Sequence, residues 1–136
     1  MKFSVRFLLL TFVFAVVVSP AARATFHLIE IKEVYSNADG SVQFVELRAF
    51  FVGQTELQHT RIVAHNSDGT VSTVVLDFTA RFAALGNNET VLIATPAFES
   101  VAGFAPDFVM SSCARIVFPA GRVIFQDDQG VQVVDA

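Results

Sequence analysis

The stretch that most constrains the fold of this chain runs from Ile29 to Leu47 and has the sequence IEIKEVYSNADGSVQFVEL. Two runs rich in β-branched and aromatic residues flank residues 37–40 (NADG), which have the composition of a tight turn. Gly40 can take a positive φ without steric cost where such a turn closes. We therefore predict a β-hairpin, and with it a fold built from strands.

The register of this hairpin follows from its charges. A three-residue loop with a glycine bulge sets two pairs of opposite charge across the strands: Glu30 with Arg48, and Lys32 with Glu46. A two-residue loop loses both pairs, so we expect the bulged register. The same register puts Glu33 on the apolar face, where a carboxylate needs a partner or a raised pKa.

A second turn, residues 66–71 (NSDGTV), repeats the pattern of residues 37–42 (NADGSV). Shared turn chemistry explains this similarity as well as an internal repeat does, and no third copy supports a solenoid. Applied to the second hairpin, the same register places His59 opposite Asp77 on the neighbouring strand.

Short apolar runs separated by turn residues continue along the chain, and residues 127–130 (DDQG) form a third turn signal. Seven to eight strands at this spacing predict an all-β fold, specifically an immunoglobulin-like β-sandwich with one core. The last run, residues 131–135, is short. Either a short edge strand that resists aggregation or a truncated reading frame explains it.

Residues 1–24 have the features of a secretory signal peptide. A positively charged start precedes an apolar run at residues 7–18 and a small-x-small cleavage site at residues 22–24. As a helix the apolar run is roughly 18 Å long at about 1.5 Å per residue, shorter than the roughly 30 Å core of a bilayer. We therefore predict a cleaved signal, an uncleaved anchor being the alternative, and a secreted or periplasmic domain at residues 25–136.

The predicted mature domain is acidic. Removing Lys2, Arg6 and Arg23 from nine basic residues leaves six against 13 acidic ones, a net charge of −7. Nucleic acids and anionic membranes attract proteins that carry basic patches. We therefore expect neither a nucleic acid nor a membrane as the partner of the mature domain.

Cys113 is the only cysteine of the chain, so no intramolecular disulfide can form. In an exported protein such a residue is a buried thiol, a reactive free thiol, or one half of a bridge between chains. All three remain open from the sequence.

Residues 31–34 (IKEV), the turn at Asn37 and residues 44–47 (FVEL) together resemble the opening of the lamin-tail domain family. Ala49 stands where that family often has Asn. The resemblance extends to a domain at residues 25–136 and implies an immunoglobulin-like sandwich that acts as an interaction module, with no catalytic residues and no cofactor.

The main functional prediction is thus a secreted, non-catalytic module that binds a protein or a cell-surface ligand. One alternative is a secreted hydrolase in which Asp77 orients His59, although no Ser or Cys nucleophile is placed beside them. The other is calcium-dependent adhesion through Asp39, Asp68 and the pair at residues 127–128, which lie in predicted turns but follow no EF-hand spacing.

Overall fold

The computed structural model describes residues 28–54, 57–81, 85–111, 115–116 and 120–135, with only the backbone of residues 132–135. The predicted signal peptide at residues 1–24 lies outside these ranges, and so does Cys113. Signal cleavage and the state of this thiol therefore stay predictions.

Two four-stranded sheets and one short helix make up the described part of the chain. The first sheet contains, in spatial order, β1 (Ile29–Ser36), β2 (Gln43–Ala49), β5 (Thr90–Ala94) and β6 (Phe108–Val109). The second contains β4 (Ser72–Phe78), β3 (Thr60–Asn66), β7 (Gly121–Asp127) and β8 (Gln132–Asp135). The helix α1 (Phe98–Ala102) lies between β5 and β6. This architecture confirms the all-β prediction.

The two sheets share one hydrophobic core. In β2, alternate residues from Gln43 to Ala49 are buried and the residues between them are half-buried, because successive side chains of a strand point to opposite faces. The core draws on both sheets: Ile29, Val45, Leu47, Val91 and Ile93 come from the first, and Ile62, Val75, Phe78, Val123 and Phe125 from the second. The sheets are thus packed face to face, as in a β-sandwich.

The first hairpin contains both of the predicted charge pairs. Arg48 forms an ion pair with Glu30, and Lys32 Nζ lies 2.9 Å from Glu46 Oε1. All four side chains point away from the core or lie at its margin, where such pairs contribute only about 0.2–1 kcal/mol each. The buried apolar face therefore supplies most of the stabilisation of the hairpin.

The predicted length of the loop in this hairpin is wrong, and so is the predicted position of Glu33 on the apolar face. The Asn37 N–H donates to the Val42 carbonyl at 3.0 Å, so the loop is one residue longer than expected. The strand compensates with a β-bulge, since Lys32 is an extra residue on β1 between Ile31 and Glu33. The bulge turns Glu33 to the outer face, where it is exposed.

The second hairpin has the same kind of bulge, and here it overturns a predicted pair. Asp77 lies opposite Arg61, not opposite His59. The register shifts at Val75, an extra residue on β4, and the loop is again longer than the three residues assumed. The predicted facing of His59 and Asp77 is therefore wrong.

Because β5 and β6 pair in parallel, their connection crosses over one face of the first sheet. The contact of Phe98 with Phe44 shows that this is the outer face. It contains α1, whose last turn ends at Gly103 in the left-handed conformation with a φ of 79°. The Gly103 N–H donates to the Glu99 carbonyl at 2.9 Å. Among the described residues, no helix has the length and apolar character needed to cross a membrane.

Candidate binding surface on the first sheet

Four aromatic rings form a continuous row on the outer face of the first sheet. Tyr35 and Phe44 stack with ring centroids 5.2 Å apart and an interplanar angle of 17°. Phe44 meets Phe98 edge to face at 5.8 Å, and Phe98 meets Phe104 edge to face at 5.4 Å. We call these four residues the aromatic row.

The strand register and the crossover together place these rings. Tyr35 lies directly opposite Phe44 across β1 and β2, on the face away from the core. Cross-strand aromatic pairs of this kind contribute about 0.2–1 kcal/mol. Phe98 is the first residue of α1, and the left-handed turn at Gly103 directs the chain so that Phe104 packs on Phe98.

The aromatic row is anchored in the middle and exposed at its ends. Phe98 is only 7% exposed, whereas Tyr35 is 43% and Phe104 is 57% exposed. Val101, one helical turn after Phe98, is 72% exposed and adds a further apolar side chain. Clusters of exposed apolar side chains on an otherwise well-buried domain mark interaction surfaces, whereas isolated ones need no explanation.

Carboxylates border the aromatic row. Glu33 lies opposite Glu46 in the strand register, next to the pair formed by Tyr35 and Phe44. Lys32 bonds to Glu46, but within the described ranges no ion pair involves Glu33. Glu99 follows Phe98 on α1 and is exposed. We call Glu33, Glu46 and Glu99 the acidic border.

The acidic turns proposed for calcium are closed by their own hydrogen bonds. Asp68 Oδ1 accepts from the Thr70 N–H at 2.9 Å and from Thr70 Oγ1 at 2.6 Å, and Asp39 makes the same two contacts with Ser41. These bonds, the hydroxyl bond first, lower the pKa of both carboxyls.

No group of three or more His, Cys, Asp or Glu side chains that could hold a metal ion occurs in the described part of the chain. Asp39 and Asp68 lie in different hairpin turns. Asp127 and Asp128 lie at a third turn, between β7 and β8. The geometry of the described residues therefore lends the calcium hypothesis no support.

His59 lies at a surface position with a carboxylate other than the predicted one. Its Nδ1 is 3.4 Å from Asp128 Oδ2, and its side chain is 71% exposed. The backbone N–H of His59 donates to the Phe78 carbonyl at 3.1 Å, so the backbone of His59 is bonded to the end of the second sheet. An imidazole and a carboxylate that are this exposed form an ordinary surface contact.

An open groove at the other end of the second sheet is lined by His65, residues 66–69 and residues 120–122. Its lining is mainly polar turn backbone and side chains. The buried His65 Nε2 has no hydrogen-bond partner among the described residues. The groove has no apolar anchor for a ligand, so the aromatic row is the stronger candidate site.

The aromatic row is not evident from the sequence, in which Phe98 and Phe104 have no predicted role. The three-residue loop predicted for the first hairpin is one residue too short and therefore puts Val34, not Tyr35, opposite Phe44. The four-residue loop would have revealed the pairing of Tyr35 with Phe44. Nothing local to residues 98–104 indicates that the crossover lays them on that pair.

The sequence matches no known protein-family model, and no curated protein is significantly similar to it. The lamin-tail resemblance of residues 31–47 accordingly stays a prediction.

Proposed function

We propose that this protein is a secreted, non-catalytic binding module with an immunoglobulin-like β-sandwich fold, and that it engages a protein partner through the aromatic row. The observation that carries the proposal is the pair of exposed rings, Tyr35 and Phe104, joined by Phe44 and the buried Phe98. The signal-like N-terminus and the resemblance of residues 31–47 to the lamin-tail family support a secreted interaction module.

A face, rather than a sheet edge, suits binding in this molecule. Three edge strands each contain an extra residue: Lys32 in β1, Val75 in β4 and Val133 in β8. The fourth edge, β6, is only two residues long. Bulges and short strands hinder the addition of a further strand, because they interrupt the row of free backbone groups.

The aromatic row is also held rigidly. The Thr95 N–H donates to the Gln43 carbonyl at 2.9 Å before α1, and the Met110 N–H donates to the Ala94 carbonyl at 2.8 Å after it. Both ends of the crossover are thus bonded to the first sheet. A preformed surface loses little conformational entropy when a partner binds, which favours affinity.

Site-specific photo-crosslinking tests the proposal. Benzoylphenylalanine is placed at Phe104 in the full chain, expressed in the producing cells, and irradiated. The matched control has the same group at Val74, which is 43% exposed on the second sheet. We expect a discrete crosslinked product from position 104 only, and a lower yield when Tyr35→Ala is added.

Equal crosslinking from both positions, or none from position 104, would contradict the proposal. So would a product whose yield does not depend on Tyr35, since the two rings belong to one surface. A circular dichroism spectrum of each variant establishes that the β-sheet content is unchanged.

A further inference from the structure

The acidic border contains an electrostatic conflict that the fold does not resolve. Glu33 and Glu46 lie directly opposite each other on adjacent strands, an arrangement that destabilises a hairpin. Lys32 compensates Glu46 at 2.9 Å. Within the described ranges no ion pair compensates Glu33, whose side chain is exposed beside Tyr35. Local conflicts of this kind are typical of functional surfaces.

The rings next to this carboxylate are suited to cations. The faces of Tyr and Phe attract ammonium and guanidinium groups through the ring quadrupole, and a neighbouring carboxylate adds a charge-assisted hydrogen bond. Tyr35 and Phe104 expose about half of their surface, at 43% and 57%. The surface therefore offers apolar contact and negative charge side by side.

We infer that the aromatic row and the acidic border recognise a basic segment of a partner protein, in which an Arg or Lys side chain lies on the exposed rings beside Glu33 and an apolar residue packs near Phe104. This inference rests on the proposed function and specifies the chemical character of the protein partner. The negative charge of the acidic border favours a basic segment over a neutral or an acidic one.

A second copy of this chain is a poor occupant, because the predicted mature domain has a net charge of −7, with six basic residues against 13 acidic ones. The surface of a second copy therefore repels the acidic border. Nucleic acids and anionic membranes are excluded by the same repulsion.

The test uses the fluorescence of Tyr35, which is the only tyrosine in a chain without tryptophan. The protein is expressed from the full chain, purified after any processing by its host, and titrated with three hexapeptides. In these peptides Phe alternates with Arg, Gln or Glu. Phe does not absorb at the excitation wavelength of tyrosine, so the signal reports the aromatic row alone. We expect the Arg peptide to bind at least about tenfold more tightly than the Gln peptide, and the Glu peptide to bind weakest.

Two matched pairs of variants localise the effect. Glu33→Gln should raise the Kd of the Arg peptide about threefold, whereas Asp77→Asn, the same charge change on the second sheet, should leave it unchanged. Phe104→Ala should raise it about fivefold, whereas Phe51→Ala should not. Phe51 is a fair control because it is 59% exposed, close to the 57% of Phe104.

Equal affinity for the Arg and Gln peptides overturns the inference, and so do equal effects of Glu33→Gln and Asp77→Asn. If position 104 still crosslinks to a partner in cells, such a result leaves the proposed function intact and removes only the charge preference. Absence of crosslinking from position 104 removes the proposed function whatever the peptides do.

Discussion

At the scale of single residues, the two long hairpin turns use identical chemistry. In each, an Asn side chain accepts the N–H of the valine five residues later at 3.0 Å, in one turn from Asn37 to Val42 and in the other from Asn66 to Val71. Gly69 in the second turn has a φ of 71°, in the left-handed region that favours glycine. The shared sequence thus encodes the same local structure in both turns.

Acid should weaken the turn that Asp68 closes. Its hydrogen bonds with Thr70 lower its folded-state pKa below the usual value for Asp, so the stabilisation is present above the unfolded pKa of about 3.9 and is lost as pH falls through the folded value. We therefore expect Asp68→Asn to lower the Tm at pH 7 and to have a smaller effect at pH 2. Thermal melts at the two pH values measure this, and an equal loss at both would contradict it.

At the scale of elements, the bulge in β1 decides which surface the first hairpin presents. Because Lys32 is an extra residue, Ile31 still faces the core while Glu33 and Tyr35 face outward. The bulge also interrupts the free edge of the first sheet and places a lysine there. Both features are known devices against pairing between the edges of two sheets.

Deleting Lys32 should therefore produce a regular and unprotected edge. The deletion joins Ile31 to Glu33 and keeps every later side chain on its present face, so the domain should fold. We expect a β-rich spectrum together with a larger mass by light scattering than the parent chain. Lys32→Gln, which retains the extra residue, is the control and should behave like the parent. A folded deletion variant with the parent's mass would show that the bulge does not protect the edge.

At the scale of the whole molecule, stability comes from a core that neither sheet forms alone. Phe125 on β7 is 0% exposed, and its ring meets Phe78 on β4 edge to face at 6.3 Å. Phe78 in turn meets Phe108 on β6 of the first sheet edge to face at 5.1 Å, so this cluster joins the two sheets. The buried Gln43 amide donates to the Ile116 carbonyl at 2.8 Å and accepts its N–H at 3.0 Å. This amide fixes a segment distant in sequence to the first sheet without leaving its polar atoms unpaired.

Truncating the central aromatic of this core should be costly. We expect Phe125→Ala to lower the free energy of unfolding by about 3–5 kcal/mol, because the substitution removes buried apolar surface and leaves a cavity. Phe51→Ala removes the same side chain from an exposed site and should change the free energy of unfolding by less than about 0.5 kcal/mol. Urea unfolding followed by circular dichroism measures both, and similar losses would contradict the assignment of the core.

From the sequence alone follow the positions of the hairpin turns, the strands that flank them and the core-facing residues of β2, but not the lengths of the loops. Turn chemistry acts within six residues, as at residues 66–71, and the alternation from Gln43 to Ala49 records directly which face is buried. It also predicted the pair formed by Glu30 and Arg48, because the register there does not depend on the bulge.

The positions of the register shifts and the residues exposed on the outer face depend on tertiary packing. A bulge at Lys32 is a balance between strand pairing and loop length, and no short window of sequence contains both. Asp77 lost its expected partner for the same reason. The aromatic row needs a parallel crossover that brings Phe98 and Phe104 onto Phe44, and contacts between residues so far apart in the chain are set by the packing of the whole sandwich.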